Sequence, residues 1–284
     1  MKAGITYFPT ATAISPGELA SAMEQRGFES LWVAEHSHIP ASRQTPWPGG
    51  AELPQMYYET YDPFVALMAA AAATTTLKLG TGICLVPQRD PIHTAKQVAS
   101  LDQLSRGRFL FGIGAGWNEE EMRNHGTEPQ GRFKLMREKI AAMKAIWADN
   151  PAEYHGDLVD FDSIYMLPKP LQSPHPPIHV GGSYPGGARR AAQWGDGWIP
   201  IGARLDGDLG AMIAEMRQVA ADAGRDPAAI EVTMYAPPED AATLQGFAEA
   251  GVDRVVFGMA PVPSGPAIES IERSMDAFTE AGVR

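Results

Sequence analysis

The stretch QVASLDQLSRGRFLFGIGAG, residues 97–116, decides the fold. Its first half completes a helix that begins near Pro91 and runs to Ser105. Its second half, Arg108–Ile113, is almost continuously apolar, as expected of a strand buried on both faces in a parallel sheet. Gly114-Ala115-Gly116 closes the strand, and the acidic run Glu119–Glu121 opens a short helix whose positive end it complements.

The same unit recurs in both directions. Towards the N-terminus, strands are expected at Lys2–Phe8, Ser30–Ala34 and Leu77–Val86. Between them lie a helix started by Ser15-Pro16 and stopped by Gly27, and a second helix opened by Asp62-Pro63. Towards the C-terminus, strands are expected at Ile178–Val180, Gly197–Ile201, Ile230–Tyr235 and Asp253–Met259, each followed by a helix. Arg26–Val33 and Ala250–Phe257 echo each other as helix end, glycine stop and buried strand. Eight β/α units in 284 residues predict an α/β fold, a (β/α)8 TIM barrel spanning residues 1–284 as one domain. Two insertions interrupt it. A Pro-rich aromatic loop, Ser37–Tyr61, follows the second strand. An extra helix Arg132–Trp147, a hairpin over Glu153–Phe161 and a proline-studded connection follow the fourth.

Composition narrows the function. There are 34 acidic against 23 basic residues, for a net charge of −11, so neither a nucleic-acid backbone nor an anionic membrane is expected as partner. Cys84 is the lone cysteine, which precludes an intrachain disulfide. The N-terminus carries no signal-peptide pattern, and the longest apolar run, Phe64–Ala73, is too short to span a bilayer. A cytoplasmic enzyme acting on a small molecule is expected.

Barrel enzymes place their chemistry at the C-terminal ends of the strands. The second strand ends in Glu35-His36-Ser37-His38, which makes His36 and Glu35 the acid/base candidates, since a neighbouring carboxylate can tune an imidazole. His36 and His38 would also suit a metal pair, the mark of a hydrolase, although no acidic residue follows the eighth strand to complete it; no metal is expected. Gly181-Gly182-Ser183, between a strand and a helix, suits a phosphate, with Arg189-Arg190 beside it. Cys84 reads as a small buried residue. Trp47, Tyr57 and Tyr58 lie in a loop long enough to act as a lid.

Together these pieces resemble the luciferase-like monooxygenase superfamily. The matching segments are Gly27–His36, Leu79–Ile83, Gln97–Glu121, Gly181-Gly182-Ser183 and Gly195-Asp196-Gly197-Trp198, in the family's order and covering most of the chain to about Ile201. The resemblance implies a barrel that binds either FMN, as an oxygen-using monooxygenase, or the deazaflavin coenzyme F420, for hydride transfer. The compact chain and its Pro-rich loop look more like the deazaflavin branch. By the resemblance His36 falls near the cofactor ring, and Gly82–Ile83 falls where the family carries a non-proline cis peptide under that ring. Gly114, Gly116 and Trp117 fall beside the cofactor, and Gly181, Gly182 and Ser183 at its phosphate. Trp117 stands where deazaflavin sugar-phosphate dehydrogenases resemble one another in having a glutamate, which argues against a sugar phosphate and for a flatter, less polar substrate.

The expected function is therefore an F420-dependent oxidoreductase, with a separate reductase renewing the cofactor and homodimerisation as the family's habit. An FMN-dependent monooxygenase, a metal-dependent hydrolase and a non-catalytic flavin-binding barrel are the alternatives. An anionic cofactor tail on so acidic a chain requires a local basic strip, expected from Arg43, Arg89 and Arg204.

Overall fold

A computed structural model describes residues 1–50, 52–202 and 205–283. Among these residues the strands are β1 (Lys2–Tyr7), β2 (Ser30–Val33), β3 (Lys78–Thr81), β4 (Cys84–Leu85), β5 (Phe109–Gly114), β6 (Ala152–His155), β7 (Asp160–Ile164), β8 (Ile178–Gly181), β9 (Gly197–Ile199), β10 (Glu231–Tyr235) and β11 (Arg254–Gly258). The sheet runs β3-β2-β1-β11-β10-β9-β8-β5, and β3 also pairs with β5 through Leu79↔Phe109 and Gly80↔Leu110. That last pairing closes an eight-stranded parallel barrel, as the repeated units require. β4 adds a short pairing on β5, and β6 with β7 forms the expected hairpin outside the barrel.

The ten α-helices are α1 (Pro16–Gln25), α2 (Met56–Glu59), α3 (Pro63–Ala73), α4 (Pro91–Leu104), α5 (Glu119–Asn124), α6 (Arg132–Ala148), α7 (Gly186–Trp194), α8 (Leu209–Asp222), α9 (Ala241–Ala250) and α10 (Ser264–Glu280), counted among the described residues. Local chemistry explains their starts. Asp62, Asp90, Asp208 and Asp240 each accept from a backbone N–H in the first turn of α3, α4, α8 and α9, and Pro63 and Pro91 occupy the first helical position. α9 ends at Gly251, whose φ of +90° is cheap only for glycine. The expected third strand, Leu77–Val86, is split: it bends at Gly82–Ile83, where the peptide bond is cis, and resumes as β4.

The interior is stacked in layers along the barrel axis. At the N-terminal ends of the strands, fully buried Arg254 donates to both oxygens of Glu29 (2.7 and 2.8 Å), to Glu231 (3.0 Å) and to Thr233 (2.9 Å). His179 lies beside this cluster, and burial, with Arg254 adding repulsion, lowers its pKa to about 4. Above it Trp32, Leu110, Ile199, Tyr235 and Val256 form an apolar plug, against which Ile83 packs from the mouth. The larger core lies between the sheet and the surrounding helices.

Candidate functional site

Two insertions and six barrel-strand ends converge on one cleft of about 570 Å³ at the barrel mouth. All ten residues singled out from the sequence line it: Glu35, His36, Gly82, Ile83, Gly114, Gly116, Trp117, Gly181, Gly182 and Ser183.

Ile83 forms the floor. Its side chain occupies space that only glycines leave open, because a Cβ at Gly114 would come within 1.9 Å of Ile83 Cδ1, and one at Gly181 within 3.0 Å. The glycines of two strands thus serve one isoleucine.

At one end stands His36. Its Nδ1 lies 2.9 Å from Glu121 Oε2, and the other oxygen of Glu121 accepts from Ser37 N–H at 3.2 Å. Glu121 is wholly buried and comes from α5, whose first turn is capped by Asn118. A carboxylate oxygen only accepts, so Nδ1 donates, and in the neutral form of the ring the lone pair is on Nε2. The sequence pointed to Glu35 as the carboxylate partner of His36, and the structure corrects this. Glu35 accepts from Leu85 N (2.6 Å) and from Arg89 Nε (2.6 Å), and Arg89 also binds Asp62 (2.7 Å). With both oxygens taken, Glu35 is a brace between β2, β4 and α3. Glu121 escaped notice because it reads as one of three acidic residues at a helix start. Its signal in the sequence is a 3.6-residue period too short to resolve in a six-residue helix.

Aromatic rings wall the space around His36. Tyr57 lies 5.2 Å and Trp117 5.8 Å from the imidazole, and Tyr57 contacts Phe8 (4.6 Å) and Trp47 (5.7 Å) in turn, by ring centroids. The loop that carries Trp47 is held by the neighbour of Glu121: Glu120 accepts from Gln44 N (2.6 Å), Thr45 N (3.0 Å) and the Thr45 hydroxyl. Burial raises the Glu120 carboxyl, but the bonds from Thr45 and Gln44 together outweigh it and bring the pKa down to about 2. The second insertion contributes Phe133, from α6.

His36 and His38 do not converge. His38 turns to the Ser37 hydroxyl (2.9 Å) and to Asn124 (2.8 Å), and Ser37 also meets His125 (2.7 Å). Among the described residues no group of three or more His, Cys, Asp or Glu side chains is placed to hold a metal ion. Cys84 is fully buried, and burial followed by the nearby Glu35 charge pushes its thiol well up.

The other end of the cleft is the Gly181-Gly182-Ser183 turn. The Gly182 peptide is tied into the barrel, its N–H donating to Ile199 O (3.3 Å) and its carbonyl accepting from Trp198 Nε1 (2.8 Å). The cation of this end is Arg190, on α7, whose Nη2 lies 3.2 Å from the position of a Gly182 Cβ and whose Nη1 lies 3.3 Å from that of Gly186. Arg190 Nε is buried and has no hydrogen-bond partner among the described residues. Its companion Arg189 faces outward to Glu215 (3.4 Å). Of the expected basic strip, Arg89 is neutralised, Arg43 lies 5.9 Å from the Trp117 ring, and Arg204 lies outside the described residues.

The family follows from comparison with known sequences. The model of the luciferase-like monooxygenases matches residues 11–245. The chain belongs to that family. An uncharacterized protein of Mycobacterium tuberculosis is 37% identical over 282 residues, covering 96% of this chain and 97% of its own. An FMNH2-dependent dimethylsulfone monooxygenase of Pseudomonas putida is 35% identical over 159 residues, covering 55% of this chain and 43% of its own. The fold matches an F420-dependent secondary alcohol dehydrogenase, solved with an F420-acetone adduct, at a TM-score of 0.73 and 22% identity over 100% of both chains. The FMNH2-dependent type thus occurs among the sequence relatives and the F420-dependent type among proteins of the same fold. No described helix is long and apolar enough to cross a membrane.

Proposed function

We propose that the chain is a coenzyme F420-dependent oxidoreductase that exchanges a hydride with a small organic substrate, the whole chain acting as one cytoplasmic domain. The observation that carries this reading is the placement of Ile83, His36 and Arg190 in one cleft: a glycine-cleared floor, a proton-handling group and a cation with no acidic partner among the described residues. A planar ring system with a phosphate fits that set. The orphaned Nε of Arg190 supports an anion at the glycine turn, because a buried donor without a partner is costly. The compactness of the chain, equal in length to an F420-dependent alcohol dehydrogenase of the same fold, supports the deazaflavin over FMN.

On this reading Ile83 supports the ring from below, and Gly114 and Gly181 give Ile83 its room. Ser183 and Arg190 hold the phosphate. The bound deazaflavin supplies the hydride chemistry. His36 Nε2 takes the proton of a substrate hydroxyl, or returns it to a carbonyl, and Glu121 keeps the imidazole in the tautomer that does so. Phe8, Trp47, Tyr57 and Trp117 exclude water and favour a flat, weakly polar substrate. Glu35 and Arg89 keep β2 and β4 together beneath His36. A separate reductase renews the cofactor.

The test is a side-by-side titration of apo protein with coenzyme F420 and with FMN, followed by cofactor fluorescence. Binding of F420 about tenfold or more tighter than FMN is expected. The reverse preference overturns this reading and makes the chain an FMN-dependent monooxygenase.

A further inference from the structure

Several arginines near the barrel mouth and flank are paired with carboxylates: Arg89 with Glu35 and Asp62, Arg189 with Glu215, Arg225 with Asp196. Arg132 and Arg190 are exceptions. Neither forms an ion pair with an acidic side chain among the described residues, in a chain with 34 Asp and Glu. Both lie against one aromatic ring, with the guanidinium carbons of Arg132 and Arg190 at 4.8 and 4.1 Å from the centroid of Phe133. Both have a buried Nε with no hydrogen-bond partner among the described residues. Arg132 satisfies a single donor on Pro129 O, at 2.7 Å. Burial, and then the charge of Arg132, lower the pKa of Arg190, so the two cations repel. Two half-buried guanidiniums crowded on one ring, each with its Nε buried and unserved, are unfavourable unless anions sit against them. A planar fork with unused donors matches a carboxylate or a phosphate.

We propose that Arg132 and Arg190, steadied by Phe133, form a two-point anion clamp, in which Arg190 takes the cofactor phosphate and Arg132 a carboxylate further along the same ligand. The clamp rests on the cofactor reading above and sharpens it. A cofactor that ends at its phosphate engages Arg190 alone. A deazaflavin that continues from its phosphate into a carboxylate-bearing tail engages both. The clamp explains how an acidic chain admits a polyanionic ligand.

The test titrates wild type, Arg132→Gln and Arg190→Gln with three ligands: full coenzyme F420, a deazaflavin trimmed after its phosphate, and FMN. Thermal melting confirms that both variants fold. In wild type, F420 should bind about tenfold more tightly than the trimmed deazaflavin, with the gap closing at high salt. Arg132→Gln should remove that gap and leave the trimmed deazaflavin unchanged, whereas Arg190→Gln should weaken every ligand that binds. Equal binding of the two deazaflavins to wild type overturns the clamp, as does an Arg132→Gln loss shared equally by both. If wild type binds neither deazaflavin but binds FMN, the cofactor reading itself fails, which is a different result from a silent Arg132.

Discussion

Replacing Glu121 by glutamine tests the acid/base end of the site with almost no change in shape. The carboxylate accepts two hydrogen bonds, from His36 Nδ1 (2.9 Å) and from Ser37 N–H (3.2 Å). A glutamine has one oxygen and one NH2. The Ser37 amide only donates, so it claims the oxygen, and the NH2 is left facing Nδ1. The least costly solution is for His36 to change tautomer: Nδ1 then accepts and Nε2 carries the hydrogen. Both bonds survive, so the stability cost is the loss of charge assistance, about 1 kcal/mol, or roughly 2–4 °C in melting temperature for a chain of this size class. The chemical cost is far larger, because Nε2 can no longer accept a proton. A reversed tautomer in a serine-protease triad lowers turnover by about 10⁴, and loss of a general base by about 10²–10⁴. Nitrogen NMR of the His36 ring reads the tautomer without any substrate. Glu121→Ala should instead strand both donors and destabilise by about 1–3 kcal/mol for each. A Glu121→Gln variant that keeps its hydrogen on Nδ1 would refute the reasoning, and so would turnover within about threefold of wild type on the first substrate identified.

Four further outcomes are expected. Gly114→Ala drives a Cβ to 1.9 Å from Ile83 Cδ1, so cofactor binding should weaken by about tenfold, and Ile83→Val in the same chain should restore it by removing that methyl; no rescue in the double variant refutes the floor assignment. His179 has its pKa depressed to about 4 in the folded state, so the unfolded chain binds the proton first, and stability should fall by about 3 kcal/mol as pH drops from 6.5 to 4. His179→Gln should flatten that slope in denaturant titrations, while the Glu231 contribution, held down to about 2 by Arg254 despite burial, is lost only at lower pH. Glu120→Gln should free the loop at Gln44 and Thr45 and speed tryptic cleavage after Arg43, and an unchanged cleavage rate would mean that Glu120 is no latch. Finally, α3 is apolar all round, and its outward Val65, 70% exposed, shares a groove with Leu104 of α4, 64% exposed. A second copy of the chain covering this face would make a dimer in light scattering that Val65→Lys disrupts.

Much of this was legible in the sequence because barrels repeat. Each strand has a local apolar run, each helix a local start signal, and the cleft residues sit where strands end. His36 is found that way, and Trp117 and Ile83 through the resemblance of their segments to a known family. What stayed hidden depends on pairings between distant segments. The partner of His36 is 85 positions away, and Arg132 and Arg190 meet only because Phe133 lies between them. Gly114 reads locally as a strand terminator, and its demand for smallness appears only when Ile83 is placed above it. Local patterns report the scaffold, and long-range contacts assign the roles.

Helix α5 has six residues, too few to hold together alone in water, and it carries both the carboxylate that orients His36 and the one that fastens the 42–45 loop. Its order therefore depends on the segments it touches. Mild heat or dilute denaturant should dissolve this turn while the barrel persists, so inactivation should precede global unfolding and reverse on return to native conditions. The protein would then have two melting points, a low one for competence and a high one for structure.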